Sequence, residues 1–196
     1  MLLLLLALVL PPRAARQLDA LAKKAAGNGC PANARLDRTI ALGAGSVIGV
    51  YSLSTHPFPE NGCAPEYRNA WVAVTIQRGV AHVSSLHDGE PQQLGLGPDG
   101  TLWLSALWTV ESGKPLLWRT TDGKDWREVR LPMMRAGRQY SETVSRIGIR
   151  TREILMERLG VEDEVLECWR LAPRVSFLGK GPCGVLQPLL HATQHP

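Results

Sequence analysis

The stretch LLWRTTDGKDWREVRLP, residues 116–132, decides the fold that the sequence predicts. Two apolar runs flank a short polar segment centred on Asp122 and Gly123. The acid could be a catalytic group presented on a loop, or it could only close a turn. Aspartate accepts backbone N–H bonds and glycine takes backbone angles that other residues resist. We therefore favour the turn of a β-hairpin.

Turn signals recur at short intervals on the N-terminal side of this hairpin. Pro98-Asp99-Gly100 precedes a strand-like segment over 101–110, and Glu111-Ser112-Gly113-Lys114 precedes another over 115–121. Together with a last strand over 126–131, these segments predict an antiparallel meander. The 19 glycines and 14 prolines also favour turns over long helices. We expect a mainly β protein with a short N-terminal helix over residues 16–26. Its sheets would be blade-like, in a small incomplete propeller or a sandwich.

Three other regions extend the β prediction. Residues 38–54 resemble a strand pair with glycine turns, and residues 70–89 contain a strand that is apolar on both faces. Residues 153–171 are ambiguous between a helix and a hairpin that turns at 160–163. We favour the hairpin, because Trp169 and Leu171 alternate about Arg170. The tail after Cys183 is expected to fray.

The segment TTDGKDW, residues 120–126, resembles the Asp-box, also called the BNR repeat, of sialidases and other propeller proteins. The resemblance implies a structural turn that lies away from any catalytic centre. Lys124 stands where the usual box has a second glycine. The expected turn residues are Thr121, Asp122, Gly123 and Trp126.

The N-terminus has the pattern of an export leader. The apolar run Leu2 to Leu10 is too short to span a bilayer, which takes about 20 residues. We expect residues 1–22 to be a signal peptide, and its two candidate cleavage points are Ala15 and the Ala20-Leu21-Ala22 triplet. Residues 23–196 would then form a single β-rich domain without stable membrane insertion.

The chain has four cysteines at wide spacings, which in an exported protein predict two disulfides. Of three possible connectivities we favour Cys30 with Cys63 and Cys168 with Cys183, because each pair joins neighbours along the chain. Nothing in the spacing indicates zinc. Leader and cysteines together indicate a periplasmic or secreted protein.

The sequence offers little catalytic chemistry. In HVSSLHD, residues 82–88, His82 and Ser84 would point to one face of a strand and Ser85 and His87 to the other, so they cannot form a relay among themselves. The acids 162–164 and Glu167 lack calcium-loop spacing and are expected in a hydrated turn. We therefore expect no catalytic residues, no metal and no cofactor. The net charge of +4 is scattered, which argues against nucleic-acid binding.

Loops held by rigid strands are the expected binding elements. Two are candidates: the proline-rich segment 56–67 and the turn 111–114. Their candidate binding residues are Glu60, Asn61, Glu66, Tyr67, Glu111, Ser112 and Lys114. The expected function is non-enzymatic binding of a protein partner, for instance as an inhibitor or immunity-type protein against a cell-envelope toxin. The alternative is a propeller-type protein that binds or hydrolyses glycans through Trp and Arg.

Overall fold

A computed structural model describes most of the chain. The described residues are 10–26, 32–43, 45–55, 70–108, 114–129, 144–150, 153–159, 166–172, 174–188, 190–191 and 193–194. They form one helix, α1 (Pro12–Ala26), and strands that are grouped in three antiparallel sheets. The prediction of a mainly β protein with a short N-terminal helix is confirmed. The helix begins at Pro12, four residues earlier than expected.

Each sheet is built from consecutive strands. Sheet A contains β1 (Ala32–Gly43), β2 (Ser46–Thr55), β3 (Ala70–Gln77), β4 (Val80–Val83) and β5 (His87–Asp88). Sheet B contains β6 (Glu90–Leu96), β7 (Leu102–Trp108), β8 (Lys114–Thr120) and β9 (Arg127–Glu128). Sheet C contains β10 (Val144–Arg150), β11 (Glu153–Leu159), β12 (Leu166–Arg170) and β13 (Ser176–Lys180). The short C-terminal strands are β14 (Gln187–Pro188), β15 (Leu190–His191) and β16 (Thr193–Gln194).

Local turn chemistry explains why neighbouring strands form hairpins. Arg78 and Gly79 both have positive φ, 50° and 77°, which is the backbone of a two-residue turn that suits the twist of paired strands. At the predicted Pro98-Asp99-Gly100 turn, the Asp99 carboxylate accepts bonds from the backbone N–H and the hydroxyl of Thr101. These contacts are local in sequence, so the meander could be predicted from the sequence.

The three sheets stack with sheet B in the middle. Successive side chains of a strand point to opposite faces. Accordingly Leu102 and Leu104 of β7 pack in one core with sheet A, while Trp103 between them packs in a second core with sheet C. Burial on both faces explains why β7 and β8 are apolar without alternation. The described strands thus form blade-like sheets with open edges.

The outer faces of sheets A and C are covered by short segments of the same chain. Helix α1 lies on sheet A and buries Leu18 and Ala22 against it. On sheet C, Leu155 and Cys168 pack against Cys183 and Leu186 of the segment that follows β13. The layers are therefore α1, sheet A, sheet B, sheet C and the 181–186 segment.

The C-terminal tail is ordered in strand pairs, so the expectation that it frays was wrong. Strand β14 pairs with β10, β15 with β6 and β16 with β1. The tail thereby adds a short strand to the first strand of each sheet, in the reverse of chain order. Each pair is held by backbone hydrogen bonds over two residues. The tail therefore has no repeating apolar pattern from which the sequence could predict these strands.

The predicted C-terminal disulfide and hairpin are confirmed. Cys168 and Cys183 are joined by a disulfide with a Cα–Cα distance of 5.0 Å. Strands β11 and β12 pair as the hairpin alternative required, and their connection lies outside the described residues. Cys30 and Cys63 also lie outside the described residues, so their pairing stays a prediction.

Removal of the disulfide should destabilise the fold. The bond spans 15 residues, and closing a loop of that size stabilises a protein by about 3 kcal/mol in the chain-entropy account. We expect the double variant Cys168→Ala, Cys183→Ala to lose about that much free energy of unfolding in urea titrations. The control is Val185→Ala, because this side chain in the same segment is 90% exposed. Equal stability of the two variants would contradict the prediction.

Candidate functional site

The turn at 120–126 is closed by its own side chains. Thr120 Oγ1 accepts bonds from the backbone N–H groups of Asp122 and Gly123, at 3.3 and 3.1 Å, and donates to Asp122 Oδ1 at 2.8 Å. The same Oδ1 accepts from the backbone N–H groups of Lys124 at 2.8 Å and Asp125 at 3.0 Å. All of the carboxylate's observed bonds are thus internal to the turn, as expected for a structural acid.

One detail of the predicted turn was wrong. Thr121 is exposed, and the hydroxyl that closes the turn belongs to Thr120. The two threonines are adjacent, so the sequence pattern alone did not separate their roles. Partial burial by itself would raise the pKa of Asp122, but the bonds from Lys124, Asp125 and Thr120 outweigh it and hold the pKa below its usual value.

The turn is also docked on sheet A. Gly123 has φ 73°, and its carbonyl oxygen accepts bonds from Thr75 Oγ1 at 2.6 Å and Trp126 Nε1 at 3.2 Å. A Cβ atom at this glycine would collide with Ile48 Cδ1. Gly123 is therefore required both by its backbone angle and by the close approach of sheet A.

Asp122→Ala should destabilise the protein because it leaves two backbone N–H groups of the turn without their acceptor. We expect a loss of about 1–2 kcal/mol at pH 7. The lowered pKa means that this stabilisation is present above pH about 4 and is lost as the pH falls further. Urea titrations at pH 7 and pH 3 measure both effects. The control is Asp125→Ala, because Asp125 is exposed, and this variant should be as stable as the wild-type protein. An equal loss of stability in both variants would contradict a structural role of Asp122 in the turn.

Next to this turn lies an aromatic cluster formed by Trp71, His87, Trp118 and Trp126, which we call the ring cluster. The Trp71 ring is 4.5 Å from His87, 5.7 Å from Trp118 and 5.2 Å from Trp126, measured between centroids. His87 is 4.6 Å from Trp118. The two tryptophan pairs are edge-to-face, the arrangement that aromatic quadrupoles favour. The cluster joins sheets A and B.

The histidine of the ring cluster is buried. Burial lowers the pKa of His87 to about 4, so its ring is neutral at physiological pH. Ser84, a candidate nucleophile of the same segment, accepts a bond from the Ala73 N–H and donates to the Ser85 carbonyl oxygen. Both contacts are to backbone, so this hydroxyl is used in the fold. The sequence pattern around His87 was weighed for catalysis, but its packing role was missed.

The buried His87 predicts acid sensitivity. Between pH about 6.5 and about 4 the unfolded chain binds a proton that the folded chain excludes, so stability should fall as the pH falls through this range. With a discount for solvent screening, the loss is on the order of 2 kcal/mol. His87→Phe should flatten this dependence, whereas His82→Gln, at an exposed position, should keep it. Urea titrations from pH 7 to pH 4 measure the slope, and an unchanged slope in His87→Phe would refute the assignment.

The contacts of the ring cluster and the turn also set the relative direction of β3 and β8. Trp71, near the start of β3, meets Trp118 in the second half of β8, and Thr75, further along β3, meets Gly123 just past the end of β8. The strands therefore run the same way across the interface, and both begin at the same end of the sheet pair. We call this end the loop end.

Sheet C has the same polarity. A Cβ atom built at Gly97, in the β6–β7 turn, would lie 2.8 Å from Ile154 Cδ1 at the start of β11. That turn is opposite the loop end, so β11 runs toward the loop end and finishes there. In every sheet the second strand thus ends, and the third strand begins, at the loop end; the residues between these strand ends are 56–69, 109–113 and 160–165.

The predicted binding residues belong to these connections. Lys114 is the first residue of β8 and pairs with Trp108, and its side chain lies outside the description. The other six lie outside the described residues: Glu60, Asn61, Glu66, Tyr67, Glu111 and Ser112. The strand ends that carry them are brought to one end of the stack, which the sequence did not predict. The sequence signal for this common end would have been the alternation of short and longer turns along the meander.

A buried charge network between sheets B and C was missed. Arg158 Nη2 lies 3.0 Å from Glu167 Oε2, which also accepts a bond from Trp169 Nε1 at 2.9 Å. Arg158 is 1% exposed and stacks on Trp169 at 4.7 Å. Glu167 is therefore a buried ion-pair partner, and its expected place in a hydrated turn was wrong. Only the β11–β12 register brings Arg158 opposite Glu167, so spacing could not show the pair.

Chemistry that needs clustered ligands finds no support in the described part of the chain. No group of three or more His, Cys, Asp or Glu residues there could hold a metal ion. Within the same residues, no helix has the length and apolar character that a membrane crossing requires. No protein-family model, curated protein or solved structure matches the chain. The Asp-box resemblance therefore remains a prediction from residues 120–126.

Proposed function

We propose that the chain is an exported, non-enzymatic binding protein that holds a protein partner at its loop end. The observation that carries this proposal is the shared polarity of the three sheets. It brings the strand ends that carry the second-to-third connections to one end of the stack. The middle layer of this stack, sheet B, is buried on both faces. Variable connections on a rigid support are a common way to build a binding surface. The Cys168–Cys183 disulfide supports export, since such bonds persist in oxidising compartments.

Charge is distributed unevenly between the three connections that join second and third strands and the rest of the chain. Residues 56–69, 109–113 and 160–165 contain one basic residue, Arg68, and six acids: Glu60, Glu66, Glu111, Glu162, Asp163 and Glu164. Their net charge is 1 − 6 = −5, whereas the whole chain is +4. An acidic binding end attracts a partner with a basic surface and accelerates their association. We therefore propose a basic protein target, as expected for an inhibitor or immunity-type protein against a toxin that attacks an anionic envelope.

The burial of tryptophan favours a protein partner over a glycan. A tryptophan that stacks on a sugar must present a ring face to solvent. Four of the six tryptophans of the chain are at most 7% exposed: Trp71, Trp103, Trp126 and Trp169. These rings fill the cores between the sheets, so the main sequence argument for a glycan is weakened.

The charge of the loop end can be tested with the full-length tagged protein and an extract of the compartment in which it is found. The triple variant Glu60→Gln, Glu66→Gln, Glu111→Gln should capture its partner about tenfold less well at physiological ionic strength, because it removes three of the attractive charges. Added salt should weaken wild-type capture more than capture by the variant. The control is Asp125→Asn, which removes an exposed acid at the opposite end.

The outcomes separate the proposed classes. One stoichiometric protein, lost in the triple variant and kept in the control, is the expected result. Equal capture by wild type, triple variant and control would refute binding at the acidic loop end. Absence of a captured protein together with binding on a glycan array would favour the propeller-type alternative.

A further inference from the structure

Helix α1 is part of the hydrophobic core. Ala14, Leu18 and Ala22 lie on one side of the helix and are 1%, 6% and 3% exposed. They recur every four residues, which aligns them as one stripe. The stripe packs on the outer face of sheet A. This packing includes Leu21 and Ala22 of the Ala20-Leu21-Ala22 triplet, which is also the pattern of a leader cleavage site.

The face of sheet A beneath the helix is apolar. Its residues include Leu53, Val72 and Val74, which are at most 1% exposed, and Tyr51 at 6%. These side chains alternate with those that pack on sheet B, so the two faces of sheet A are equally apolar. Without α1, this surface would be left open to solvent. Contiguous apolar patches of that kind are uncommon on soluble proteins.

The opposite side of α1 has the composition of a permanent protein surface. Arg13, Arg16, Lys23 and Lys24 are all exposed, and they fall within an arc of about 100° opposite the buried stripe. Asp19 forms an ion pair with Lys23 at 2.8 Å. The helix is therefore amphipathic, with its apolar side toward sheet A and its charged side toward solvent. A leader segment destined for removal needs no such match to the folded domain.

We propose that α1 from Arg16 onward stays in the mature protein and that the Ala20-Leu21-Ala22 triplet is not the processing site. The leader is removed at or before Ala15, so that Leu18 and Ala22 remain to cover sheet A. The processing step rests on the proposed export. The place of the helix on sheet A does not depend on it.

The mature N-terminus provides the direct test. The full-length chain with a C-terminal tag is expressed in an export-competent bacterium, fractionated, purified and measured by intact mass and N-terminal sequencing. A first residue between Leu2 and Arg16 supports the proposal, whereas an unprocessed Met1 supports retention of the helix and overturns removal of a leader. A first residue after Leu18, above all Lys23, overturns it. Recovery from the cytoplasm alone would count against export and hence against the proposed function, while the following variants still test retention of the helix.

A matched pair of variants tests whether the helix acts in the recovered protein. Leu18→Asp places a charge in the apolar contact with sheet A, whereas Gln17→Asp places the same charge at an exposed position one residue earlier. If α1 is retained, Leu18→Asp should lower Tm by about 10 °C and Gln17→Asp by much less. If the helix has been removed, both variants should melt like the wild type. Should Leu18→Asp fail to accumulate, Leu18→Ala against Gln17→Ala gives the same comparison with a smaller loss.

Discussion

Burial of sheet B on both of its faces is the constraint on which the rest of the structure depends. Leu104 on one face of β7 and Trp103 on the other each belong to a different core. A sheet that is covered on both sides cannot shift its register by one residue without exchanging its two cores. The positions of sheets A and C, and of the connections they carry, are fixed by this middle layer.

Two further sets of contacts stabilise the stack of sheets: those of the turn at 120–126 and those of the C-terminal tail. The turn closed by Thr120 and Asp122 places Gly123 against Thr75 of sheet A, so a local motif becomes a contact between sheets. The C-terminal tail pairs in succession with sheets C, B and A. Because these bonds join segments far apart in the chain, they stabilise the order of the sheets. The acid at Asp122 serves this architecture, which is why its bonds are all made within the turn.

The proposed function rests on the common direction in which the three sheets run more than on any single residue. The strand ends that carry the second-to-third connections lie at the loop end because the three meanders stack in the same direction. The negative charge of these connections contrasts with a basic chain, and the buried tryptophans fill the cores between the sheets. A binding surface of this kind needs no perturbed acid or base, and the most perturbed group described, His87, is held neutral inside the ring cluster.

The sequence by itself determined features that depend on near neighbours, namely the meander and its turns. It favoured, among open alternatives, the hairpin of β11 and β12 and the disulfide of Cys168 with Cys183. Glycine angles, strand periodicity and short loop closure are local, and they can be read from spacing. Only the tertiary structure decided which faces meet, where Glu167 is buried, how the tail pairs and that α1 covers sheet A. Those features depend on strand register and on contacts between distant segments, which no local pattern encodes.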